Sequence, residues 1–589
     1  MNVLNQIGRG TACSPIGGLD LTSTDARSSF DRARLLATAG LLGLAALPFA
    51  PALFAPFFAY DSHHVEAASH LPESLLRGWV LPIDSAGAWW TPPGLSVEYF
   101  RPLIVLSFAI DRFLYGLHPG GYHFTNLMMH AASTLLVWAI ARIVLGAGVR
   151  AWASAALFAV HPCHVQSVAW ISGRTDVLAS TLYAGAFLLY LQSRSPRRGS
   201  GGRLSLSMLL FALALLAKEM AITLPVVILA DTLLRPDGKG GVRRFVPSAL
   251  AAGLAAVYLG LRFAVLGALH APPFPFAYHV GSAGFIEHMV TAPLLYLADL
   301  AIFVPPDPMV SVPFWHGHPV AFAVLAAISL WAARDTVRRI SDRRVWLWGL
   351  VWTAVALLPV WTLTVGEHFL YLPSMGYCIL LGAKLPAVAA SLTNRARLLR
   401  IATVAAVLAV SLGRTVLFDG VAFASSRAID DAEELLDRAP HARHLLVADL
   451  PWAASLAFPH ALRLERPERR IDVAILSIGP SLFGGPDRST IAFGAPDRLD
   501  LRRQSGFLAS YFERALAGQR SAFRQGETID RPGYTVTVLD ASNDALRAFS
   551  VRLRDPDRTL VMGGAGSGLE WLASESHPPR GSTICGRTP

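Results

Sequence analysis

The stretch YHFTNLMMHAASTLLVWAIARIVL, residues 122–145, decides the class of this protein. It is long enough to cross a bilayer core, which takes about 20 mostly apolar residues of helix. Comparable apolar runs recur along the chain between short basic loops. Of the 589 residues, 53% are apolar and 16% are charged, whereas soluble domains carry about 25% charged residues. The sequence therefore predicts a polytopic α-helical membrane protein and excludes a soluble enzyme.

Eleven spans are predicted from these runs. They lie at 35–58, 122–145, 150–162, 175–192, 204–217, 220–234, 245–267, 317–333, 345–364, 370–389 and 400–418. With the N-terminus inside, the basic connections at 194–203, 235–244, 334–344 and 395–400 all face the cytoplasm, as the positive-inside rule requires. These loops account for the net charge of +10, and no nucleic-acid partner is predicted.

The apolar segment 283–303 needs a separate interpretation because Glu287, His288 and Asp299 interrupt it. If it crossed the membrane, the loop 334–344 with its five arginines would face outward. It is therefore predicted to be re-entrant or interfacial. An alternative count merges 204–234 into one bent span and lets 283–303 cross, which keeps eleven spans but places the basic loop 235–244 outside.

The hydropathy pattern predicts the domain organisation. It gives an N-terminal tail, a transmembrane domain with a large first outer loop, an extracytoplasmic α+β domain and a disordered C-terminal tail, at 1–33, 34–419 with loop 59–121, 420–571 and 572–589. The extended runs HLLVADL, IDVAILSIG, STIAFG, YTVTVLD and LVMGG, which alternate with helical patterns near 427–438 and 505–525, predict strands of the α+β domain.

Polar and ionisable residues collect at the predicted outer ends of the spans. They are Asp61, His63, His64, Glu98, Arg101, His123, Asn126, His161, His164, Arg174, Asp176, Lys218, Glu219, Glu367, His368 and Tyr371. An ionisable group at membrane depth costs roughly 2.5–3.5 kcal/mol on insertion scales, so such a group needs an explanation. Carboxylates, imidazoles and cations at several span ends on one face would line a cavity able to hold a phosphate and activate a hydroxyl.

Individually, several of these residues have structural explanations. Arg174 and Asp176 fit a helix-start ion pair, His161 before Pro162 fits the cap of a span end, and Lys218 fits the tip of a tight hairpin. The four cysteines are scattered, and no HExxH or similar spacing joins the histidines. No disulfide framework, metal site or cofactor is therefore predicted.

Four motifs, in order along about residues 55–390, carry a resemblance to a known family. They are YFRPLIVLSFAIDRFLYGLHPGGYHFTNLMMHAASTLLV, AVHPCHVQSVAWISGRTDVLASTLYAGAFLLYL, LLAKEMAITLPVVIL and GEHFLYLPSMGYCILLG. They resemble the transmembrane half of the transmembrane-and-TPR O-mannosyltransferases, which belong to the GT-C superfamily of membrane glycosyltransferases. The resemblance implies a GT-C-like fold, a polyprenyl-phosphate-linked sugar as donor and an acidic residue of the first outer loop as catalytic base.

The resemblance places the family's acidic pair on Asp61 and Ser62, so only the first carboxylate is present. In the last motif the family usually has Arg after Glu, whereas His368 follows Glu367 here. A permanent cation is thereby replaced by a titratable group. The TPR array of the animal relatives has no counterpart in this sequence, and the acceptor cannot be carried over.

The predicted function is inverting transfer of a sugar, mannose by resemblance, from a polyprenyl phosphate to an unidentified acceptor hydroxyl. Asp61 is the predicted general base, Arg101, Arg174 and Lys218 stabilise the leaving phosphate, and His161 and His164 donate hydrogen bonds to it. Glu367 and Tyr371 orient the donor, and Asp176 holds Arg174. The predicted location is the bacterial inner membrane. A transporter or lipid flippase and a non-catalytic scaffold are the alternatives.

Overall fold

The computed structural model describes residues 22–571 with gaps. The gaps are 72, 77–78, 83–86, 93–95, 195–199, 236–240, 268–276, 282–283, 306–316, 339–341, 385–393, 452–453, 456–457, 467, 470, 480–488, 496, 509–512, 514–515, 518–522, 543–544 and 566–567. The predicted disordered tail 572–589 and most of the N-terminal tail lie outside the described residues.

Most of the described chain before residue 440 is helical. The first eight helices are α1 (Thr22–Ala46), α2 (Asp61–Ala68), α3 (Glu73–Leu76), α4 (Pro102–Tyr115), α5 (Pro119–Leu145), α6 (Val149–Ala159), α7 (Val165–Val168) and α8 (Arg174–Ser193). The next eight are α9 (Ser200–Ala217), α10 (Leu224–Leu234), α11 (Val246–Leu266), α12 (Phe285–Ile302), α13 (Pro319–Arg338), α14 (Arg343–Leu357), α15 (Tyr371–Lys384) and α16 (Asn394–Arg438).

Five of the described helices are long and apolar enough to cross a membrane. They contain Pro119–Leu145, Ser200–Ala217, Val242–Leu266, Phe285–Ile302 and Val404–Arg438. Shorter apolar helices, such as Val149–Ala159, accompany them. The chain is thus a mostly helical, multi-pass membrane protein, and the count of eleven spans remains a prediction.

The first predicted span is shorter as a helix than the hydropathy pattern indicated. Helix α1 ends at Ala46, and a 3₁₀ helix follows at Ala50–Phe54. Pro48, Pro51 and Pro56 lie in this stretch, and each removes a backbone donor that a continuous α-helix needs. The expected span 35–58 is therefore a helix followed by a turn, which brings the chain to Asp61.

A buried carboxylate joins the ends of α8 and α10. Asp231 accepts hydrogen bonds from Tyr190 at 3.1 Å and Arg235 at 3.0 Å, and it forms an ion pair with Arg194. The basic loops that follow Arg194 and Arg235 therefore leave from the same end of the helices. The preferred span count requires this arrangement, whereas the alternative count puts the two loops on opposite faces.

Helix α12 runs beside the loop 358–370. Near its start, His288 Nε2 lies 3.1 Å from the Trp361 carbonyl oxygen, and further along Tyr296 accepts a hydrogen bond from the Gly366 amide at 3.4 Å. These contacts are compatible with either arrangement of the segment, and Phe285–Ile302 is one of the five helices long and apolar enough to cross a membrane. Whether α12 crosses the membrane remains a prediction.

The remainder of the chain contains two β-sheets and helix α17 (Phe458–Glu465). The described residues form 11 strands, of which the first two lie earlier in the chain and pair only with each other. They are β1 (Trp79–Pro82), β2 (Ser96–Tyr99), β3 (His444–Ala448), β4 (Asp472–Ile475), β5 (Thr490–Ala495), β6 (Arg498–Phe507), β7 (Thr528–Arg531), β8 (Tyr534–Ser542), β9 (Ala545–Leu553), β10 (Thr559–Ala565) and β11 (Gly568–Trp571). Five of these strands coincide with the five extended runs quoted above.

The two larger sheets have different pairing. The four-stranded sheet has the order β11-β10-β3-β4, with β3 parallel to both neighbours, and the five-stranded sheet is antiparallel in the order β5-β6-β9-β8-β7. Part of the segment 59–121 extends the four-stranded sheet, because Ala88 bridges Ile475 in parallel fashion. The Trp89 indole also donates to the Leu476 carbonyl at 3.0 Å.

Helix α16 connects the helical part to the sheets without interruption. It continues through residues 419–420, where the hydropathy pattern places a domain boundary. Its first part carries apolar residues, and its last turns, such as those around Glu434 and Arg438, are highly charged. The division of the chain into domains remains a prediction.

We expect Asp231→Ala to lower the free energy of unfolding by about 2 kcal/mol, because it removes the charged acceptor shared by Arg194, Arg235 and Tyr190. Thermal unfolding of the detergent-purified protein measures the change. Glu434→Ala, which breaks an exposed pair with Arg438, is the matched control and should leave the melting temperature unchanged. Equal melting temperatures for the two variants would contradict the proposed role of Asp231.

Candidate functional site

Asp61 begins α2 and lies in a buried turn. Its Oδ1 accepts a hydrogen bond from the Ser172 amide at 2.8 Å and another from the Ser172 hydroxyl, and its Oδ2 accepts from the Phe58 amide at 2.9 Å. Ala59, two residues before Asp61, has a φ of 50°. This is a left-handed conformation that costs an L-residue roughly 1–2 kcal/mol. The surrounding contacts thus hold the carboxylate in place against backbone strain.

Burial raises the pKa of Asp61 to about 7, although the hydrogen bonds from Ser172 and Phe58 and the charge of Arg174 oppose the shift. The carboxyl therefore changes protonation state near neutral pH. A carboxylate has roughly four lone-pair sites, and the three hydrogen bonds leave about one for a further proton donor. These are properties required of a general base.

The segment 161–176, called here the central segment, connects Asp61 to the other candidate residues. It comprises two short 3₁₀ helices, α7 and the start of α8. Ser172 binds Asp61, the Gln166 amide lies 3.5 Å from Glu367 Oε1, and Gln166 Oε1 lies 3.3 Å from His368 Nδ1. Two motifs that are about 200 residues apart in sequence therefore meet at this segment.

Arg174 is fully buried and its donors point into the protein. It forms an ion pair with Asp111 at 2.5 Å and donates to Asn126 Oδ1 and the Tyr122 carbonyl, each at 2.9 Å. The guanidinium also lies 4.4 Å from the ring centroid of Phe108. The expected Arg174–Asp176 pair is thus replaced by a pair with Asp111, and Arg174 ties α8 to α4 and α5.

Two adjacent ion pairs form what we call the Arg101 cluster, made of Arg101, Asp176, Lys218 and Glu219. Arg101 binds Glu219 through two nitrogens, at 3.1 and 2.5 Å. Lys218 Nζ lies 2.6 Å from Asp176 Oδ1. The Glu219 side chain is 29% exposed, while those of Lys218 and Asp176 are 3% exposed. The cluster thus joins a buried pair to one that reaches solvent.

A second cluster contains residues that the sequence motifs missed. Arg414, on α16, binds Asp299 Oδ1 at 2.9 Å and also forms an ion pair with Glu367. Burial raises the pKa of Glu367 despite the opposing charge of Arg414. A single arginine thus joins three elements, and we call this group the Arg414 cluster. The signal in the sequence was a lone arginine within the apolar run around AVSLGRTVL.

The remaining predicted site residues are buried against other partners. His161 accepts a hydrogen bond from the Cys163 amide at 3.3 Å, which is the capping role considered above. His164 Nε2 lies 2.8 Å from the Ser374 hydroxyl. The Tyr371 hydroxyl lies 2.8 Å from Nδ1 of His130, another residue absent from the prediction. His123 is buried beside the backbone of Ala55 and Ala169.

The structure thus gathers most predicted residues around the central segment but gives them different exposures. Arg174, His164 and Tyr371 are fully buried and contact other protein groups. The groups closer to the surface are Arg101 and Glu219, with Lys218 next to them. A carboxyl of raised pKa can deprotonate a hydroxyl, and cations such as Arg101 and Lys218 can stabilise an anion.

Comparison with protein families matches part of the chain. Residues 117–262 match the family model described as "Dolichyl-phosphate-mannose-protein mannosyltransferase". This range begins at the turn before α5 and ends within α11, so it contains the central segment and three members of the Arg101 cluster.

Curated relatives also match part of the chain. The chain is 34% identical to Protein O-mannosyl-transferase Tmtc1 of Drosophila melanogaster over 242 residues, which is 39% of this chain and 27% of the relative. It is 40% identical to TMTC1 of Mus musculus over 155 residues, 24% of this chain and 16% of the relative. The chain therefore spans about a quarter or less of the length of these relatives.

Among solved structures, the matches have low TM-scores and low sequence identity. The crystal structure of ArnT from Cupriavidus metallidurans bound to undecaprenyl phosphate has a TM-score of 0.41 and 15% identity, covering 90% of this chain and 98% of that one. The apo oligosaccharyltransferase of Archaeoglobus fulgidus has a TM-score of 0.40 and 11% identity, covering 76% and 64%. The predicted resemblance to the transmembrane-and-TPR O-mannosyltransferases is confirmed by the relatives of that name.

We expect Arg414→Met to lower the free energy of unfolding by about 3 kcal/mol, because it leaves two buried carboxylates without their cation. Adding Asp299→Asn and Glu367→Gln to this variant should restore most of the loss, since the stranded charges are then removed. Thermal unfolding in detergent compares the three proteins.

Arg438→Met is the control for this series, because Arg438 lies on the same helix in an exposed pair. It should melt with the wild type. A triple variant no more stable than Arg414→Met would show that the arginine acts through packing and not through its charge.

Proposed function

We propose that the chain is a membrane glycosyltransferase that moves a sugar from a polyprenyl-phosphate donor to an acceptor hydroxyl. The observation that carries the proposal is Asp61, a buried carboxyl with a pKa of about 7. It is bound directly to Ser172, within the range that matches the mannosyltransferase family model. The name of that model supports a polyprenyl phosphate as the donor lipid and mannose as the sugar.

Asp61 acts as the general base in this proposal. One oxygen accepts the proton of the acceptor hydroxyl while the hydroxyl oxygen forms a bond to the anomeric carbon. The bond from that carbon to the phosphate oxygen breaks, and polyprenyl phosphate leaves with the electron pair. Attack opposite to the leaving group inverts the anomeric configuration. The Asp61 oxygens are positioned by Phe58 and Ser172, so little reorganisation is needed.

The cations of the Arg101 cluster stabilise the leaving phosphate. Lys218 has three N–H donors. Its described ion pair, with Oδ1 of Asp176, uses one of these donors. Arg101 is bound to the part-exposed Glu219. A phosphate can replace Glu219 as the partner of Arg101, because a phosphate offers similar bidentate geometry. Arg174, enclosed by Asp111 and Asn126, supports the central segment instead of contacting the donor.

Glu367 and His368, which contact Gln166 of the central segment, orient the donor in this proposal. His368 is within electrostatic reach of Lys218 and Arg101. His161, His164 and Tyr371, together with His123, act by holding the surrounding elements in position. Asp176 acts by holding Lys218.

The proposed setting is the bacterial inner membrane, crossed eleven times, with the N-terminus in the cytoplasm. The site then faces the outer side, and residues 420–571 form an extracytoplasmic α+β domain. The basic loops beside Arg194 and Arg235, which leave from one end of the bundle, support this orientation. The acceptor is an unidentified hydroxyl compound.

A non-catalytic scaffold is the second candidate function. It is favoured by the three hydrogen bonds to Asp61, because a carboxylate so engaged also serves to fix two loops together. It is also favoured by Ser62, which stands where the family has a second acidic residue.

Release of polyprenyl phosphate from a panel of polyprenyl-phosphate sugars tests the proposal. We expect the detergent-purified protein, given envelope extract as acceptor source, to consume one donor, with Asp61→Asn slower by about 100-fold or more because proton transfer is lost. Asp472→Asn, at a side chain that is 70% exposed, should keep full activity. Equal turnover by wild type and Asp61→Asn would favour the scaffold.

The pH dependence of turnover provides an independent test. A general base must be deprotonated to accept a proton, and the pKa of Asp61 is about 7. We therefore expect kcat/KM to rise with pH on the acidic side of about 7 and to level off above it. A profile that falls over this range would contradict the assignment of Asp61 as base.

A further inference from the structure

Helices α2 and α17 pack against each other on the side of α2 away from the central segment. His63 and Glu66 are three residues apart on α2, so both side chains lie on one face of that helix. His460 projects from α17 toward them. The three residues come from segments almost 400 positions apart, and their possible ligand atoms all lie within 4.8 Å of one another.

The distances among these atoms are close to those of a shared metal ion. Nδ1 of His63 and Nδ1 of His460 are 3.4 Å apart, with the two rings 75° from parallel. Zinc–nitrogen bonds of about 2.0–2.1 Å in a tetrahedral site place neighbouring ligand atoms about 3.3–3.4 Å apart. Glu66 Oε2 lies 2.8 Å from His460 Nδ1, which is a hydrogen-bond distance, so this carboxylate must move by about 0.5 Å for both atoms to bind one zinc ion.

The protons around His460 Nδ1 point to the same conclusion. This nitrogen lies 2.8 Å from the Glu66 carboxylate, which needs a donor, and 2.9 Å from the Arg463 guanidinium, which is itself a donor. One nitrogen cannot both donate to Glu66 and accept from Arg463. A cation bound by lone pairs of His63, Glu66 and His460 removes this conflict, because all three atoms then act in the same way.

We propose that His63, Glu66 and His460 bind a divalent transition metal of the zinc type, with water as a fourth ligand. Two imidazoles and one carboxylate are a donor set that zinc accepts readily. Both histidines are buried, at 8% and 4% exposure. Arg463 supplies the positive charge when the metal is absent, and its side chain is 42% exposed, so it can turn toward solvent when the metal binds.

The metal clamps α17 to the helix that begins with Asp61. His63 is two residues after Asp61, so the clamp limits the movement of α2 relative to the central segment. The site escapes sequence reasoning because only His63 and Glu66 are close in sequence. Their third partner lies 397 positions from His63.

Zinc titration of the full-length detergent-purified protein, stripped with a chelator, tests the proposal. In competition with a chromophoric chelator, we expect the wild type to take up one equivalent of Zn²⁺. His63→Gln and His460→Gln should each weaken zinc binding by about 100-fold. Loss of a residue that only supports a metal ligand weakens binding by roughly 10- to 100-fold, and loss of a ligand itself should have at least the larger effect. The exposed His441→Gln is the matched control and should bind as the wild type does.

Co²⁺ provides a second readout, because a tetrahedral site gives visible d–d absorption. We expect this absorption for the wild type and His441→Gln and its loss in His63→Gln and His460→Gln. Binding in the two ligand variants equal to that of the wild type, or less than stoichiometric zinc in the wild type, overturns the proposal. Neither readout requires turnover, so the outcome is independent of the proposed transferase activity.

Arg463→Ala separates a metal site from an ionic contact and leaves all three ligands in place. If the three residues bind a metal, removing the competing guanidinium tightens zinc binding, and zinc raises the melting temperature of this variant at least as much as that of the wild type. If they form only an ionic contact, Arg463→Ala lowers the melting temperature and zinc does not restore it, which overturns the proposal.

Discussion

The cost of leaving a charge unpaired inside the helix bundle shapes much of the rest of the structure. An uncompensated ion away from water costs several kcal/mol, and the described bundle contains the buried carboxylates of Asp61, Asp111 and Asp299. Each of these three is bound by an amide, an arginine or a hydroxyl from a distant part of the chain. The central segment is where most of these long-range contacts meet, and its irregular 3₁₀ turns supply backbone donors that a continuous helix would use internally.

This arrangement connects Asp61 to two different parts of the protein. On one side its carboxylate binds Ser172 of the central segment, which in turn follows residues that contact Glu367 and His368. On the other side α2 packs on α17, within the part of the chain that contains the sheets. A single short helix therefore links the Asp61 carboxylate to the part of the chain that contains the sheets.

The sequence predicts element types well and pairing poorly, for a physical reason. Long apolar runs specify membrane helices through local hydropathy alone, and alternating runs such as YTVTVLD specify strands in the same way. Polar motifs at helix ends also mark where the candidate site lies. Which charge meets which depends on how helices pack, so the sequence could not reveal that Arg174 binds Asp111 and that Asp176 binds Lys218. The docking of Trp89 on the sheet edge was hidden for the same reason.

Arg414 supplies the permanent cation beside Glu367 in this chain. The resemblance to the O-mannosyltransferases implies an arginine directly after the glutamate of the last motif, where this chain has His368. Arg414, on a helix that follows in sequence, forms the ion pair with Glu367. The guanidinium stays charged at every accessible pH, whereas burial and the nearby charges of Lys218 and Arg101 hold the pKa of His368 well below its usual range. Glu367 therefore has a cationic partner that does not titrate, and the His368 ring lies beside Gln166 of the central segment.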